Sequence, residues 1–209
     1  MKKRAIQRKP EKSTKKRLYK SDAVGESCGI TFGKRKGNRR MEFIFRRAVQ
    51  KDVDGIMAIM KEAKESLAHP EWFVADDAEY IRNHLQGDGF AIVAEIGGEI
   101  AGFFVVKKPK EEDNLGKYVD FSREQCGRVW IMDTAAVAAE WRGNQLQSRM
   151  LAAAEKELAA FSPEYLMCTV HPDNCYSLHN MQKNGYQVIK KALCYGGLER
   201  FILMKHWKI

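Results

Sequence analysis

The sequence predicts an α/β fold with a mixed, mostly antiparallel central sheet, a parallel crossover pair and helices on both faces. The stretch "FAIVAEIGGEIAGFFVVK" (90–107) is typical of an antiparallel hairpin, because two apolar runs are separated by Gly97 and Gly98. Residues 127–170 run as strand, helix and strand, which predicts a β–α–β crossover with parallel pairing. Helical periodicity before and after these segments predicts the helices that cover the two faces of the sheet.

The first elements precede the hairpin. "EFIFRRA" (42–48) alternates like a strand, and Asp52 or Asp54 is placed to cap the helix that follows. That helix repeats its apolar residues at helical spacing: Ile56, Ile59, Met60 and Ala63. A second helical piece is predicted over about 75–85.

After the hairpin, a polar and acidic insertion (107–125) leads to the strand "GRVWIMDTAAVA". The next helix has an apolar stripe that is expected to pack on the sheet: Leu146, Met150, Leu151, Ala154 and Leu158. "EYLMCTV" then predicts a short buried strand, and residues 173–184 predict a helix. "YQVIK" and "RFILMKHW" predict the last two strands.

Charge divides the chain into two parts. The 209 residues carry 36 Lys or Arg and 27 Asp or Glu, and 15 of these basic residues and three of the acids fall in residues 1–40. The remainder therefore holds 21 basic and 24 acidic side chains. We predict a basic, disordered tail over 1–40 and one folded domain over 41–209. The tail is either a polybasic arm for nucleic acid, a solvated extension, or upstream sequence before a start at Met41.

Cysteine spacing and hydropathy exclude some classes of protein. The five cysteines form no C-x-x-C pair and no zinc pattern, so no metal site is expected. Their odd number and scattered positions fit reduced thiols in a cytoplasmic protein. No apolar run approaches the roughly 20 residues that span a bilayer, so no membrane partner is expected.

The turn "EWRGNQ" (140–145) has the features of an anion site. A helix begins after it, and the first N–H groups of a helix lack partners and face a partial positive charge. Arg142 adds a cation and Gly143 adds flexibility, while the first turn contains no acid. This pattern fits a pyrophosphate, although an ordinary strand-to-helix turn explains it as well.

A second stretch, "VHPDNCYSLHNMQKNGY", runs from a strand through a turn into a helix that ends at Gly185. Pro172 and Asp173 suit the helix start. Asn174 lies in the first turn, near the carboxyl end of the preceding strand, where open α/β sheets bind ligands.

With these two stretches and this order of elements, residues 43–207 resemble the GCN5-related N-acetyltransferase (GNAT) family. The family's pyrophosphate loop reads [QR]-x-x-G-x-[GA]; Arg142 fills its first place, while Gln145 and Gln147 replace the two small residues. The family's second motif is an Asn followed twelve residues later by an aromatic residue with Gly before it. Asn174, Gly185 and Tyr186 match it.

The resemblance implies acetyl-CoA as co-substrate, bound mainly by backbone N–H groups. Side chains at 145 and 147 are then tolerable, and we expect Gln145 to take unstrained dihedrals in a helical first turn. The implied cofactor-binding residues are Ala135, Ala136, Val137, Ala138, Ala139, Arg142, Gly143, Asn144, Gln145, Leu146, Gln147, Asn174 and Ser177.

The resemblance also implies transfer of an acetyl group by direct attack of an amine. The family often has a proton-donating Tyr seven residues after the motif Asn, but this position is Met181, which has no proton to donate. Tyr176 and His179 are the replacement candidates, with surface or packing roles equally open. Tyr186 is a weaker candidate that we expect to pack in the core. Asp133 is either the acceptor of the amine proton or a solvent-facing strand residue.

The sequence does not identify the acceptor beyond a small-molecule or peptide amine. Trp72, Phe73 and the region around Gly196 and Gly197 are expected near its pocket, and the acids at 111–113 are either an attraction for a cation or solvated surface. The sequence leaves the oligomeric state open, with a homodimer paired through an exposed terminal strand as one option. The alternative function, suggested by Met181, is a CoA-binding sensor without strong catalysis.

Overall fold

The computed structural model describes residues 42–67, 69–87 and 89–207. The predicted basic tail and Met41 lie outside the described residues, so the division of the chain at residue 40 stays a prediction.

The centre of the molecule is a seven-stranded sheet in the order β1-β2-β3-β4-β5-β7-β6. Its strands are β1 (Ile44–Arg47), β2 (Gly89–Ile96), β3 (Glu99–Lys107), β4 (Val129–Val137), β5 (Tyr165–Val170), β6 (Gln187–Cys194) and β7 (Leu198–His206). Within this sheet β4 and β5 are parallel and every other neighbouring pair is antiparallel. The predicted mixed sheet with one crossover pair is confirmed.

Five α-helices accompany the sheet in the described part of the chain. They are α1 (Val53–Ser66), α2 (Ala78–Gln86), the short α3 (Arg123–Cys126), α4 (Leu146–Leu158) and α5 (Cys175–Lys183). Helices α1 and α2 pack with Val93 and Phe103 on one face, and α4 and α5 pack with Ile92 and Phe104 on the other. This alternation follows from the two-residue period of a strand. The five apolar residues predicted to form the stripe of α4 are all buried. No helix among the described residues is long and apolar enough to cross a membrane.

Local sequence signals set several element ends. Gly97 and Gly98 both have positive φ (60° and 87°), as the tight turn of the predicted hairpin requires. At the end of α5 the N–H of Gly185 donates to Gln182 O and that of Tyr186 donates to Met181 O, which is a Schellman motif. Helix α5 begins at Cys175 rather than at Asp173, because Asn174 is its N-cap.

Asp52 stands directly before α1, but its side chain does not cap that helix. The buried carboxylate instead accepts hydrogen bonds from Arg46 Nη1 (2.6 Å) and from Val49 N (2.7 Å). Arg46 also pairs with Glu95 on β2. The pair of Asp52 with Arg46 therefore ties the start of α1 to the sheet.

The polar insertion between β3 and β4 folds onto the sheet. Leu115 is buried, and Tyr118 and Phe121 pack with it against a third apolar cluster that includes Tyr165 and Ile202. Within the acidic run, Glu111 and Glu112 are exposed, whereas Asp113 forms an ion pair with Lys107 on β3 (2.9 Å).

The last strand, β7, is not at an edge of the sheet. It lies between β5 and β6, because the chain turns back at residues 195–197 and the hairpin inserts its second strand beside β5. The expectation of an exposed terminal strand is therefore wrong, and the edge strands are β1 and β6. A homodimer stays a prediction without that strand as its basis.

The parallel pair separates partway along its length. Pairing between β4 and β5 is confined to Val129–Ile131 and Tyr165–Met167. Beyond it, β4 remains paired with β3 as far as Val137, and β5 remains paired with β7 as far as Val170. The carboxyl ends of the two central strands thus leave a gap in the sheet.

Candidate active site

A cleft of about 890 Å³ occupies the gap between β4 and β5. Its walls come from the carboxyl ends of these strands, the first turns of α4 and α5, the α1–α2 connection and the turn between β6 and β7. This size is within the range of pockets that hold cofactors and drug-sized ligands. Its position at the carboxyl ends of parallel strands is also the usual one for ligands of α/β proteins.

The entrance to α4 presents free backbone N–H groups to this cleft. The first helical hydrogen bond runs from Arg149 N to Gln145 O (3.1 Å). Within the described part of the chain, the amides of residues 143–148 donate to no protein acceptor. The first turn has no acidic side chain, so no residue of that turn neutralises the positive end of the helix dipole. We call residues 143–148 the α4 cradle, and its amides are suited to a phosphate group.

The loop before α4 contains two residues with left-handed dihedrals. Gly143 has φ 83°, and Gln145, the N-cap, has φ 56° and ψ 24°. The expectation of unstrained helical dihedrals at Gln145 is wrong, because this residue lies one position outside the helix. A non-glycine residue pays about 1 kcal/mol or more for this conformation. The structure thus explains why the family pattern has glycine here.

Arg142 is exposed and bridges two elements at the rim of the cleft. Its Nε donates to Val137 O at the end of β4 (3.3 Å), and its Nη2 donates to Ser66 Oγ at the end of α1 (3.2 Å). Asn144 instead donates to Trp141 O (2.9 Å), which fixes the loop. The cation therefore lies beside the α4 cradle, where an anion would meet both.

Helix α5 faces the α4 cradle with its own polar groups. Asn174 Oδ1 accepts a hydrogen bond from Ser177 N (3.0 Å) and so caps the helix. Further along, the Ser148 hydroxyl donates to Asn180 Oδ1 and accepts from Asn184 Nδ2 (3.1 Å). Asn180 Nδ2 is the one buried side-chain polar atom in the described chain without a hydrogen-bond partner, and Asn180 lines the cleft.

Most of the predicted cofactor-binding residues are brought together. Those that line the cleft are Ala135, Ala136, Val137, Arg142, Gly143, Gln145, Leu146, Gln147, Asn174 and Ser177. Ala138, Ala139 and Asn144 do not line it. The amides of Ala138 and Ala139 already donate, to Ala101 O and to Glu62 Oε1 respectively (both 3.0 Å), which leaves them no hydrogen for a ligand.

The predicted catalytic residues are separated. Asp133 and Tyr176 line the cleft, and Tyr176 is largely exposed there. His179 is exposed and lies outside the cleft lining. Tyr186 is buried in the core and donates to Glu155 Oε1 (3.0 Å), so the packing role expected for it is confirmed. Met181, at the family's tyrosine position, is buried and contributes an apolar surface to the cleft.

Asp133 does not face open solvent but belongs to a polar group that we call the carboxylate cluster: Asp76, Tyr80, Lys107, Asp113 and Asp133. The Tyr80 hydroxyl donates to Asp133 Oδ2, and Lys107 Nζ lies 3.8 Å from Asp133 Oδ1. Lys107 also donates to Tyr80 Oη (3.1 Å). Asp76 accepts a hydrogen bond from Thr134 Oγ1 (2.7 Å), beside Asp133 on β4.

Burial and mutual charge shift the pKa values in this cluster. Burial raises the pKa of Asp76, and the hydrogen bond from Thr134 only partly opposes it. Burial also raises the pKa of Tyr80, with Asp133 adding to the effect, so that the hydroxyl stays protonated. For Lys107, burial opposes the charged form, but Asp133 and Asp113 outweigh it and raise the pKa. The cluster therefore holds a cationic lysine and a carboxyl group, Asp76, that takes up protons more readily than usual.

The sequence identifies two members of this cluster: Asp133 as a candidate base and Asp113 within the acidic run. Asp76, Tyr80 and Lys107 come from the α1–α2 connection, α2 and β3, so no local spacing joins them. A partial signal was present in β4, where Asp133 and Thr134 interrupt an apolar strand. The pairing of β3 with β4 shifts at this point, which is a bulge that re-aims side chains.

The remaining wall of the cleft is formed by aromatic and basic side chains. Trp72 and Phe73 line it, as predicted, and the Trp72 ring stacks 6.1 Å from that of His171. The Tyr195 hydroxyl, beside the predicted glycine turn, lies 3.0 Å from Thr169 Oγ1. Arg200 is buried in this wall and was not predicted.

Cys168 is the cysteine that lines the cleft in the described chain. It is buried, and burial raises the pKa of its thiol. A protonated thiol is a poor nucleophile. Among the described residues, no group of three or more His, Cys, Asp or Glu is placed to hold a metal ion.

Comparison with known proteins agrees with this geometry. The profile of the acetyltransferase (GNAT) family matches residues 54–186. The chain belongs to this family. No curated protein matches its sequence.

Solved structures show the same fold at low sequence identity. An N-acetyltransferase from Staphylococcus aureus Mu50 has a TM-score of 0.62 at 15% identity, covering 79% of this chain and 98% of its own. A ribosomal-protein-alanine N-acetyltransferase from Brucella melitensis has a TM-score of 0.62 at 18% identity, covering 78% and 99%. The protein yncA from Salmonella typhimurium, solved with its cofactor acetyl-CoA, has a TM-score of 0.57 at 14% identity, covering 78% and 93%.

Proposed function

We propose that this protein is an N-acetyltransferase that moves an acetyl group from acetyl-CoA to an amine by direct attack. The observation that carries the proposal is the set of unpaired amides at residues 143–148, which open into a cleft between separated strands and have Arg142 beside them. A structural neighbour, yncA, was solved with acetyl-CoA, which supports the same co-substrate. The bound thioester would supply an activated acetyl group.

The residues present fit this co-substrate. The α4 cradle offers several N–H donors and no acid, which suits a diphosphate. Asn180 Nδ2 is a further donor that the protein leaves without a partner. Pairing between β4 and β5 ends at Ile131, so the backbone N–H and C=O groups of residues 132–137 that point towards β5 have no partner on that strand. These groups can form hydrogen bonds with a polar, extended ligand.

The carboxylate cluster provides the acid–base chemistry on the acceptor side. An attacking amine must lose a proton, and a carboxylate with a raised pKa accepts it more readily near neutral pH. Asp76 has that property, and Asp133 lies beside it. Asp133 therefore remains a proposed proton acceptor, with Asp76 added by the geometry. Tyr80 and Lys107 hold Asp133 in place.

Two side chains bear on the leaving thiolate and on the route of transfer. Met181 has no proton to donate, so water or the Tyr176 hydroxyl protonates the thiolate, which is a modest base with a thiol pKa of about 8.5. The raised pKa of Cys168 argues against an acetyl-cysteine intermediate and favours a single displacement.

The test is acetyl-CoA-dependent release of free CoA thiol with a panel of amines, with the N-acetyl products identified by mass spectrometry. Release that requires both acetyl-CoA and an amine supports the enzyme. If the protein binds acetyl-CoA but releases no thiol with any amine, the alternative of a CoA-binding sensor, suggested by Met181, replaces the proposal. Absence of acetyl-CoA binding removes both.

A further inference from the structure

Arg200 is a buried cation without a counterion in the wall of the cleft. Only 3% of this residue is exposed, and it lies near the start of β7, beside the turn that carries Tyr195. Its Nη1 donates to Glu199 O and its Nη2 donates to Glu71 O, both at 2.8 Å. In the described chain, no carboxylate oxygen lies within 4.0 Å of its guanidinium nitrogens, since none of the ion pairs includes it.

This arrangement is energetically unusual. A guanidinium carries five N–H donors and a full charge, and burying it is costly unless the charge is paired. Two backbone carbonyls supply partial dipoles but no negative charge. By contrast, Arg46, whose side chain is only partly buried, is paired with a buried carboxylate, Asp52. Arg200 is therefore held by the backbone in a way that leaves its charge for something else.

The position of Arg200 indicates which ligand would supply the anion that pairs with its guanidinium. Its contact with Glu71 O links β7 to the α1–α2 connection, which carries Trp72 and Asp76. This is the wall that includes the carboxylate cluster, whereas the α4 cradle is built on α4. The diphosphate already has the α4 cradle and Arg142, so the anion for Arg200 belongs to the acceptor.

The charge of the pocket favours a carboxylate over a phosphate. Lys107 is already engaged by Asp113 and Asp133, so the carboxylate cluster offers no free cation. One buried guanidinium balances one negative charge, and its planar fork matches the two oxygens of a carboxylate.

We infer that the acceptor is an amine that also carries a free carboxylate, such as an amino acid or a short peptide, with its carboxylate on Arg200 and its amine towards Asp76 and Asp133. This rests on the proposed function and narrows its acceptor. Arg200 is then a specificity-determining residue.

The test compares each acceptor with its own carboxamide, so that only the charge on the carboxyl group changes. The panel contains the common amino acids, ω-amino acids and dipeptides, each beside the matching amide, with kcat/KM measured for both. We expect at least one acid to be preferred over its amide by about 10-fold or more. Arg200→Met should lower kcat/KM for that acid far more than for its amide, and Arg200→Lys should restore part of the preference, because it keeps the charge but not the fork.

Three results overturn the inference: equal use of acid and amide by the wild-type protein, equal losses for both in Arg200→Met, or acetylation of no carboxylate-bearing amine. If Arg200→Met does not fold, the comparison of each acid with its amide in the wild-type protein is sufficient to test the inference. Acetyl-CoA affinity, measured in parallel, separates the two proposals. If acetyl-CoA binds and only amines without a carboxylate react, the inference about Arg200 fails and the proposed function stands.

Discussion

The α4 cradle and the carboxylate cluster are both polar, but the chain builds them in opposite ways. The α4 cradle uses backbone N–H groups from consecutive residues, with a single nearby cation, Arg142. The carboxylate cluster uses side chains from the α1–α2 connection, α2, β3, the insertion and β4. The α4 cradle should therefore tolerate changes of side chain, as Gln145 already shows, while the carboxylate cluster should not. Substitutions at Asp76, Arg142, Asn180 and Gln145 test this difference in tolerance.

The largest effect is expected from the carboxylate cluster. Asp76→Asn keeps the size of the side chain and an oxygen for the Thr134 hydroxyl, but it cannot accept a proton. We expect kcat/KM for the acceptor to fall by about 100-fold or more, since general base catalysis contributes this much. Acetyl-CoA affinity, measured by calorimetry, should stay within about 2-fold. Asp54→Asn, an exposed change on α1, is the control.

The effect of Asp76→Asn on stability should also depend on pH, in a direction that can be measured. The fold raises the pKa of Asp76, so it disfavours the charged carboxylate. The charged form therefore destabilises the protein progressively as pH rises from the usual aspartate range through the raised pKa. Asp76→Asn should raise Tm relative to wild type more at neutral pH than at pH below the usual aspartate range. A Tm difference independent of pH, or one that grows towards acid, contradicts the assigned environment.

The next largest effect is expected at the rim of the α4 cradle. Arg142→Glu replaces the cation beside the unpaired amides with an anion, and acetyl-CoA affinity should fall by about 10- to 100-fold. Lys156→Glu makes the same change in net charge at the exposed far end of α4 and should alter affinity by less than about 2-fold. Equal losses in the two variants would show that net charge, rather than the site, attracts the ligand.

A smaller and two-sided effect is expected at Asn180. Its Nδ2 is buried without a partner, which costs stability in the free protein. Asn180→Leu removes this unpartnered donor, which favours the folded state, but it also removes the acceptor of the Ser148 hydroxyl, so the free energy of unfolding should change by less than about 1 kcal/mol. Acetyl-CoA binding should weaken by several-fold, because the donor is lost. Denaturant unfolding and calorimetry measure the two changes. A loss of stability with unchanged affinity would assign Asn180 to the packing of α5 alone.

The smallest effect is expected at Gln145. Glycine accepts left-handed dihedrals without strain, so Gln145→Gly should stabilise the protein by about 0.5–1 kcal/mol despite the greater freedom of the unfolded chain. Acetyl-CoA affinity should change little, since the amides stay in place. A large change in affinity would mean that the Gln145 side chain itself contacts the ligand.

The same contrast explains what the sequence could predict. The hairpin at Gly97 and Gly98, the crossover and the stripe of α4 follow from local periodicity and turn chemistry. The α4 cradle is local too, and ten of the thirteen residues predicted to bind the cofactor line the cleft. Arg200 could not be predicted from the sequence, because its burial results from the position of β7 between β5 and β6, which local patterns do not reveal. Ala138 and Ala139 do not line the cleft, because spacing does not reveal which amides the protein itself uses.

The central claim is that the α4 cradle grips the diphosphate of coenzyme A through its backbone. A crystal structure of the protein with acetyl-CoA measures this directly. We predict diphosphate oxygens within about 2.7–3.2 Å of several amide nitrogens of residues 143–148, with the acetyl group between β4 and β5 and facing the carboxylate cluster. A diphosphate bound elsewhere, with these amides still facing solvent, would contradict the account.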